Sequence, residues 1–445
     1  MTELRATTGP AAPPPETADP GAAAVGLHSV VRFHALRTRV SDDDPDEVVV
    51  GRPEVGVFIE LPELGLEAIN LLSSGMPVGA AEDLLADRHG VRIDLTELVE
   101  DLVQEGFVAE VDHVPVPDPH EPVANHLPWL RSRHVQWLYG LPAKLAYAGL
   151  VAATVATVVA DPDRIPTFRD FYWTDYVGLA VLVNTVMFSI AATAHEISHL
   201  VAARSLGAPA RIGFGTRLHH LVLQTDVTAI WTVPRRSRYR VYLSGMLLDT
   251  AVVCTTILLV AHAQLPPLAD GLLGALAVVM IGSMAGQFRV YMRTDLYFVL
   301  LDLLRCRNLF QDGLTYARYL LRRVGHAVAP GKVAAGPDPS QALPARERKA
   351  VRIYAVAVVA GSTVALGAFA VYGLPVLMFG AVTAFGAVSR GLTGGGLLSA
   401  LDAAAIILVE GALQVLFVRT FLRKHRGRWR WARRSGRPAP STPSA

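Results

Sequence analysis

The chain has 445 residues, of which 51% are apolar and only 18% charged, and its mean hydropathy is positive; this composition excludes an ordinary soluble domain and points to a membrane protein. The formal net charge of +2 hides two opposed parts, because residues 41–112 carry 19 acidic side chains against three arginines while the remainder is basic. An acidic soluble module therefore precedes a basic membrane module, and the two cysteines, Cys254 and Cys306, supply neither a disulfide framework nor a CxxC metal clip.

Residues 1–27 are rich in Ala and Pro and lack the basic start and apolar stretch of a signal peptide, so they read as a disordered cytoplasmic tail. From His28 to Asp112 the pattern changes. Short alternating runs at Val48 to Val50 and Val55 to Glu60 are followed by helix-length stretches at Leu64 to Leu72, Ala80 to Arg88 and Leu95 to Glu105. Gly106 then punctuates the chain before a last strand, Phe107 to Val111. A hairpin, three helices and a closing strand suit an independent α+β domain over residues 28–112. The segment Val48 to Val111, with its FIEL run and its terminal GFV, resembles the PqqD-like family of small winged-helix domains. The resemblance implies a peptide partner, the leader of a ribosomally made peptide, added as a strand to the hairpin edge and lying against the third helix. A charge of this sign disfavours nucleic acid as a partner.

Residues 113–130 are Pro-rich and read as a semi-rigid linker. Beyond them, over residues 131–425, apolar stretches long enough to span a bilayer occur at about 138–160, 175–203, 241–263, 270–292, 352–372 and 397–420. The expected fold is mainly α, a polytopic membrane protein of about six transmembrane helices; Pro375 breaks the apolar run after the fifth, and a seventh span there is the alternative. Arginines gather before the first span, after the second, beyond the fourth and in the basic tail 426–445, whereas the opposite loops are short and balanced or acidic. Six spans with both termini in the cytoplasm fit that bias, which places the protein in the cell membrane with the arginine- and tryptophan-bearing tail as an anchor to anionic lipid.

The most specific chemistry lies in His195-Glu196-Ile197-Ser198-His199, an HExxH pattern near the cytoplasmic end of the second span. On a helix its histidines share one face, where both imidazoles can bind one Zn²⁺ while Glu196 sits beside them as general base. Composition alone would produce such a pattern about 0.04 times in a chain of this length, and ionisable groups within a spanning helix are costly unless functional. A catalytic zinc usually takes three protein ligands. Asp295, just beyond the fourth span, and Asp302, seven residues later, lie at the required depth; Asp249, His219, His220 and Asp226 are further candidates. Asn184, eleven residues before His195, faces either a water channel or another helix, and Asp402 and Glu410 in the last span either gate the substrate or pair with Arg390.

These residues resemble the site-2 protease family of intramembrane zinc metalloproteases, most closely its branch of peptide zinc metalloproteases with a PqqD-like domain. The resemblance runs from about Trp173 to Asn308 through HEISHLVAARSLGAPARIGFG, LQTDVTAIWTVPRRSRYRVYLSG and TDLYFVLLDLLRCRNL. It implies zinc held by His195, His199 and Asp295, with Glu196 as the catalytic base. Two departures stand out: Leu296 where the family usually has glycine, and Met246-Leu247 in place of a proline-containing step. The implied activity is peptide-bond hydrolysis on a peptide recruited by the N-terminal domain, in peptide maturation. The alternatives are a peptide-binding, export or immunity protein without catalysis, and regulated cleavage of a membrane-bound regulator.

Overall fold

In a computed structural model of the chain, residues 25–42, 46–122, 125–217, 220–328, 336–373 and 397–434 are described, with single positions between 378 and 386. Most of the 1–27 tail, His219, Arg390 and the last eleven residues of the basic tail lie outside them.

The acidic module is built from β1 (Val31–Phe33), β2 (Arg37–Val40), β3 (Glu47–Arg52) and β4 (Val57–Pro62), then α1 (Glu63–Ser73), α2 (Val78–His89) and α3 (Leu95–Gln104), then β5 (Val108–Val111) and β6 (Val114–Pro115). Strands β2, β3 and β4 form one antiparallel sheet and β1, β5 and β6 another. Alternation along β3 and β4 turns Val48, Val50, Ile59 and Leu61 into a core shared with Leu72, Leu85, Leu95, Val99 and Phe107. Each such side chain, fully buried, contributes roughly 1.5–3 kcal/mol. Asp94 caps α3 by accepting from the Glu97 amide at 3.0 Å. The module extends past the boundary expected at Asp112: β6 pairs with β5, and Asp118 accepts from the buried Arg52 guanidinium at 2.8 Å. The proline content of residues 113–120 reads as a semi-rigid linker, whereas that ion pair straps them to the module.

The membrane unit opens with the short α4 (Ser132–Val135), followed by α5 (Leu141–Ala160), α6 (Val177–Ser205), α7 (Arg235–His262), α8 (Pro267–Gln287), α9 (Asp295–Leu304), α10 (Leu309–Val328), α11 (Ala345–Ala368) and α12 (Leu397–Arg434). Among the described residues, six helices are long and apolar enough to cross a membrane: α5, α6, α7, α8, α11 and α12. The protein is thus a mainly α, polytopic membrane protein. Helix α6, at 29 residues, is about 43 Å long at 1.5 Å per residue, more than the roughly 30 Å apolar core needs, and Gly207 ends it at φ +75°. Between α6 and α7 the chain forms an antiparallel hairpin, β7 (Arg211–Arg217) and β8 (His220–Asp226), where only an arginine-bearing loop was expected. Helix α12 continues unbroken through the first part of the basic tail, to Arg434.

Candidate metal centre

Helix α6 presents His195 and His199 one turn apart, both 6% exposed, with their rings edge to face at 4.9 Å between centroids. One donor atom each from His195, Glu196 and His199 lies within 4.8 Å of the others, so this cluster can hold a metal ion. A fourth side chain, Asp295, arrives from 96 residues beyond His199. The chain leaves α8, makes a left-handed turn at Arg293 (φ 58°) and enters α9 at Asp295. There Gln287, at the end of α8, accepts from the Asp295 amide at 3.1 Å, and its carbonyl accepts from the Thr294 hydroxyl at 2.5 Å. These bonds aim the Asp295 carboxylate so that a single oxygen, Oδ2, lies 2.9 Å from His195 Nε2 and 3.2 Å from His199 Nε2.

The far nitrogens of both rings are already taken. His199 Nδ1 lies 2.7 Å from the Val241 carbonyl oxygen, which can only accept, so this nitrogen carries the proton and donates. His195 Nδ1 lies 2.8 Å from Oδ2 of Asp249 on α7, and Asp249 is 1% exposed. In the tautomer that donates Nδ1–H from each ring, both Nε2 atoms present a lone pair towards Asp295 Oδ2. Three acceptors thus converge where only positive charge stabilises them. Protonating both rings would place two imidazolium ions side by side out of water, an arrangement penalised by like-charge repulsion and by desolvation. One cation shared by two nitrogens and one carboxylate oxygen satisfies all three, and nitrogens held from behind by a carboxylate and a carbonyl are the usual support for metal-binding histidines. The donor set fits a divalent metal.

Two further features keep the pocket shaped. A Cβ at Gly245 of α7 would overlap the His195 ring, so the absence of a side chain there is what lets α7 approach α6. Thr225 of β8 donates its hydroxyl to Glu196 at 2.6 Å from Oε2 and lies 2.9 Å from the Glu196 carbonyl oxygen. The hairpin therefore fixes the rotation of the Glu196 carboxylate.

Of the residues weighed from sequence, His195, Glu196, His199 and Asp295 come together, and Asp249 joins them as the support of His195. Asp302 does not: it is buried against Arg238 of α7 at 3.3 Å, two turns along α9 from the cluster. Asp226 caps the turn that follows β8, accepting from the Thr228 amide and hydroxyl at 3.1 and 2.7 Å. Asn184 binds the Phe171 carbonyl at 2.9 Å and the Trp173 indole at 3.2 Å, near the opposite end of α6, and ties down the loop before that helix instead of lining a path to the metal. Asp402 accepts from the Leu179 amide at the start of α6 at 2.8 Å. His220 stands opposite Arg217 at the end of the hairpin. Thr225 has no local signal of its role, whereas the Ser244-Gly245 pair carries one, because glycine is what lets helices approach closely.

Comparison of the chain with family models, with curated proteins and with solved structures returns no match.

Proposed function

We propose that this protein is a membrane-embedded zinc endopeptidase that cleaves a peptide recruited by its acidic N-terminal module. The observation that carries this reading is the convergence of His195 Nε2, His199 Nε2 and Asp295 Oδ2, with a carboxylate, Glu196, on the adjoining side of the same helix. Two imidazoles and one carboxylate are the donor set of hydrolytic zinc sites, and zinc bound there supplies polarisation of a carbonyl and acidification of water. Glu196 takes a proton from the attacking water and returns it to the leaving amine, a role that requires a fixed carboxylate. The Thr225 hydroxyl provides that fixation. Asp249 and Val241 hold the imidazoles in the tautomer that binds metal.

In this reading the Ser205 end of α6 and both termini face the cytoplasm, which the arginine bias of the loops supports. The acidic module meets that same side, where Asp42 accepts from the Arg235 amide at 2.9 Å and Glu47 and Glu60 both pair with Arg307 at 2.9 Å. A peptide held by the module is therefore delivered on the side where the metal ligands lie. The module's charge selects basic peptides.

The test compares wild type with Glu196→Gln and His195→Ala, each expressed in the native host and purified in detergent. Elemental analysis is expected to give about one zinc per chain in wild type and Glu196→Gln, and none in His195→Ala. Glu196→Gln is expected to accumulate an uncut peptide, identified by its mass, that disappears when wild type is restored. Zinc-free wild-type protein prepared without chelators, or an unchanged peptide pool in Glu196→Gln, overturns the reading.

A further inference from the structure

Helices α7 and α9 together shape the metal cluster, since α7 contributes Val241, Gly245 and Asp249 and α9 contributes Asp295. Two α7 arginines join them at Asp302: Arg235 at 3.8 Å and, closer and more deeply buried, Arg238. Arg238 of α7 is 2% exposed and places Nη1 3.3 Å from Asp302 of α9, itself 2% exposed. Its plane stacks on Trp231 at 4.5 Å, and its Nε donates to the Val233 carbonyl at 2.9 Å. The other side of this guanidinium faces the acidic module: Nη2 lies 3.5 Å from Asp42 Oδ2. That same oxygen accepts from the Arg235 backbone amide at 2.9 Å, at the first residue of α7. There it meets one of the unpaired amides that begin any helix. Pro234 precedes α7 and its side chain cannot cap. A carboxylate from the module, held there by Arg39 at 3.0 Å, thus caps the helix that carries the supports of both histidines, while it also faces the arginine that ties α7 to α9.

We propose that docking of the N-terminal module is coupled to the geometry of the metal cluster through Asp42 and Arg238, which makes Arg238 a positioning residue for Asp295. This rests on the reading of His195, His199 and Asp295 as metal ligands. With Asp42 in place, Arg238 is shared between two carboxylates and α7 is capped. With the module displaced, Arg238 keeps Asp302 as its carboxylate partner but loses Asp42, the α7 start loses its acceptor, and the α7–α9 pair relaxes. A peptide that shifts the module on binding is then sensed at the metal without touching it, and metal binding strengthens module docking by the same factor, because coupling between two sites is reciprocal.

The experiment uses the full chain in detergent. Zinc affinity is measured by competition with a chromophoric chelator in wild type, Asp42→Asn, Asp42→Glu and Glu110→Gln; the last removes the same charge from a module side chain that pairs with Arg32. Hydrogen exchange over residues 295–304 is measured on the same proteins without metal. Asp42→Asn is expected to weaken zinc about fivefold, at the low end of ordinary coupling between sites, and to speed exchange across α9. Asp42→Glu is expected to recover most of both, and Glu110→Gln to match wild type. If Asp42→Asn matches wild type in both measurements, or Glu110→Gln weakens zinc equally, the coupling is overturned. A wild type that binds no zinc sinks the metal reading instead, and the exchange comparison still decides the coupling.

Discussion

At the scale of single residues, the cluster is held by groups with very different visibility in the sequence. His195, Glu196 and His199 form a local pattern, because the helix repeat alone brings positions i and i+4 to one face. Asp295 is legible through depth: a partner for ligands near one membrane face must lie near that face, and a carboxylate directly after the fourth span does. Asp249 was open between packing and ligation, and its actual task, bonding His195 Nδ1 at 2.8 Å, depends on how α7 lies across α6, which no local pattern encodes. The same crossing explains Gly245. A methyl group there overlaps the His195 ring, and because the obstacle is a ring pinned on both nitrogens, it has little room to turn aside. Gly245→Ala is therefore expected to cut zinc occupancy to less than a tenth of wild type while leaving the protein folded, since one methyl group at a helix interface costs roughly 1–3 kcal/mol of stability. Elemental analysis alongside thermal unfolding checks this. Full zinc occupancy in the alanine variant would show that α7 can move away and that the close approach is incidental.

At the scale of elements, helices were easier to read than strands. Spans such as Leu141–Ala160 and Pro267–Gln287 announce themselves by length and apolarity, and α1, α2 and α3 by their spacing of apolar side chains. The hairpin β7–β8 did not. Gly213 and Gly215 interrupt the apolar alternation Ile212, Phe214, and arginines at both ends of β7 gave the segment the composition of a cytoplasmic loop. The strands are short, and what settles them is pairing, with Arg211 opposite Asp226 and Gly213 opposite Gln224, plus contact with α6. That contact gives the hairpin a function, because Thr225 reaches Glu196 from it. A hydrogen bond to a charged group is worth about 1.5–3 kcal/mol, which corresponds to roughly tenfold or more in rate if the bond is used in the transition state. Thr225→Val keeps the shape and deletes the hydroxyl. The expected result is a fall in kcat of about tenfold or more on the peptide that accumulates with Glu196→Gln, with KM and zinc content unchanged and activity recovered in Thr225→Ser. An equal loss in the serine variant would assign Thr225 to packing.

At the scale of the whole molecule, the opposed charges of the two parts were visible from counting, but their meaning was not. The loop arginines read as markers of orientation, whereas Arg235, Arg238 and Arg307 also form the seat on which Asp42, Glu47 and Glu60 rest. Such pairing depends on the relative placement of units far apart in sequence and leaves no local trace. The module that rests there carries its own pH dependence. Burial, reinforced by the nearby Arg52 charge, pushes the His34 imidazole below its ordinary value of 6.5. Burial raises the Asp118 carboxyl, but hydrogen bonds from Arg52 and the His120 amide outweigh it and hold the group below its ordinary 3.8. Asp112 is held below the same value by the Val30 amide and the Ser29 hydroxyl. The signs agree. As pH falls below about 6.5, an unfolded His34 takes up a proton that the folded one resists, so stability declines. The two aspartates add stability that is complete above their unfolded values and is lost as pH falls through their lower folded ones. The module in the full chain is therefore expected to hold a plateau of stability above about pH 6.5, to weaken gradually below it, and to weaken steeply under pH 3.8. Hydrogen exchange of α1 to α3 amides in urea, compared across pH, measures this. His34→Gln should remove the first decline and leave the second, and a module that grew more stable between pH 7 and pH 5 would show that charges other than these three govern its folding.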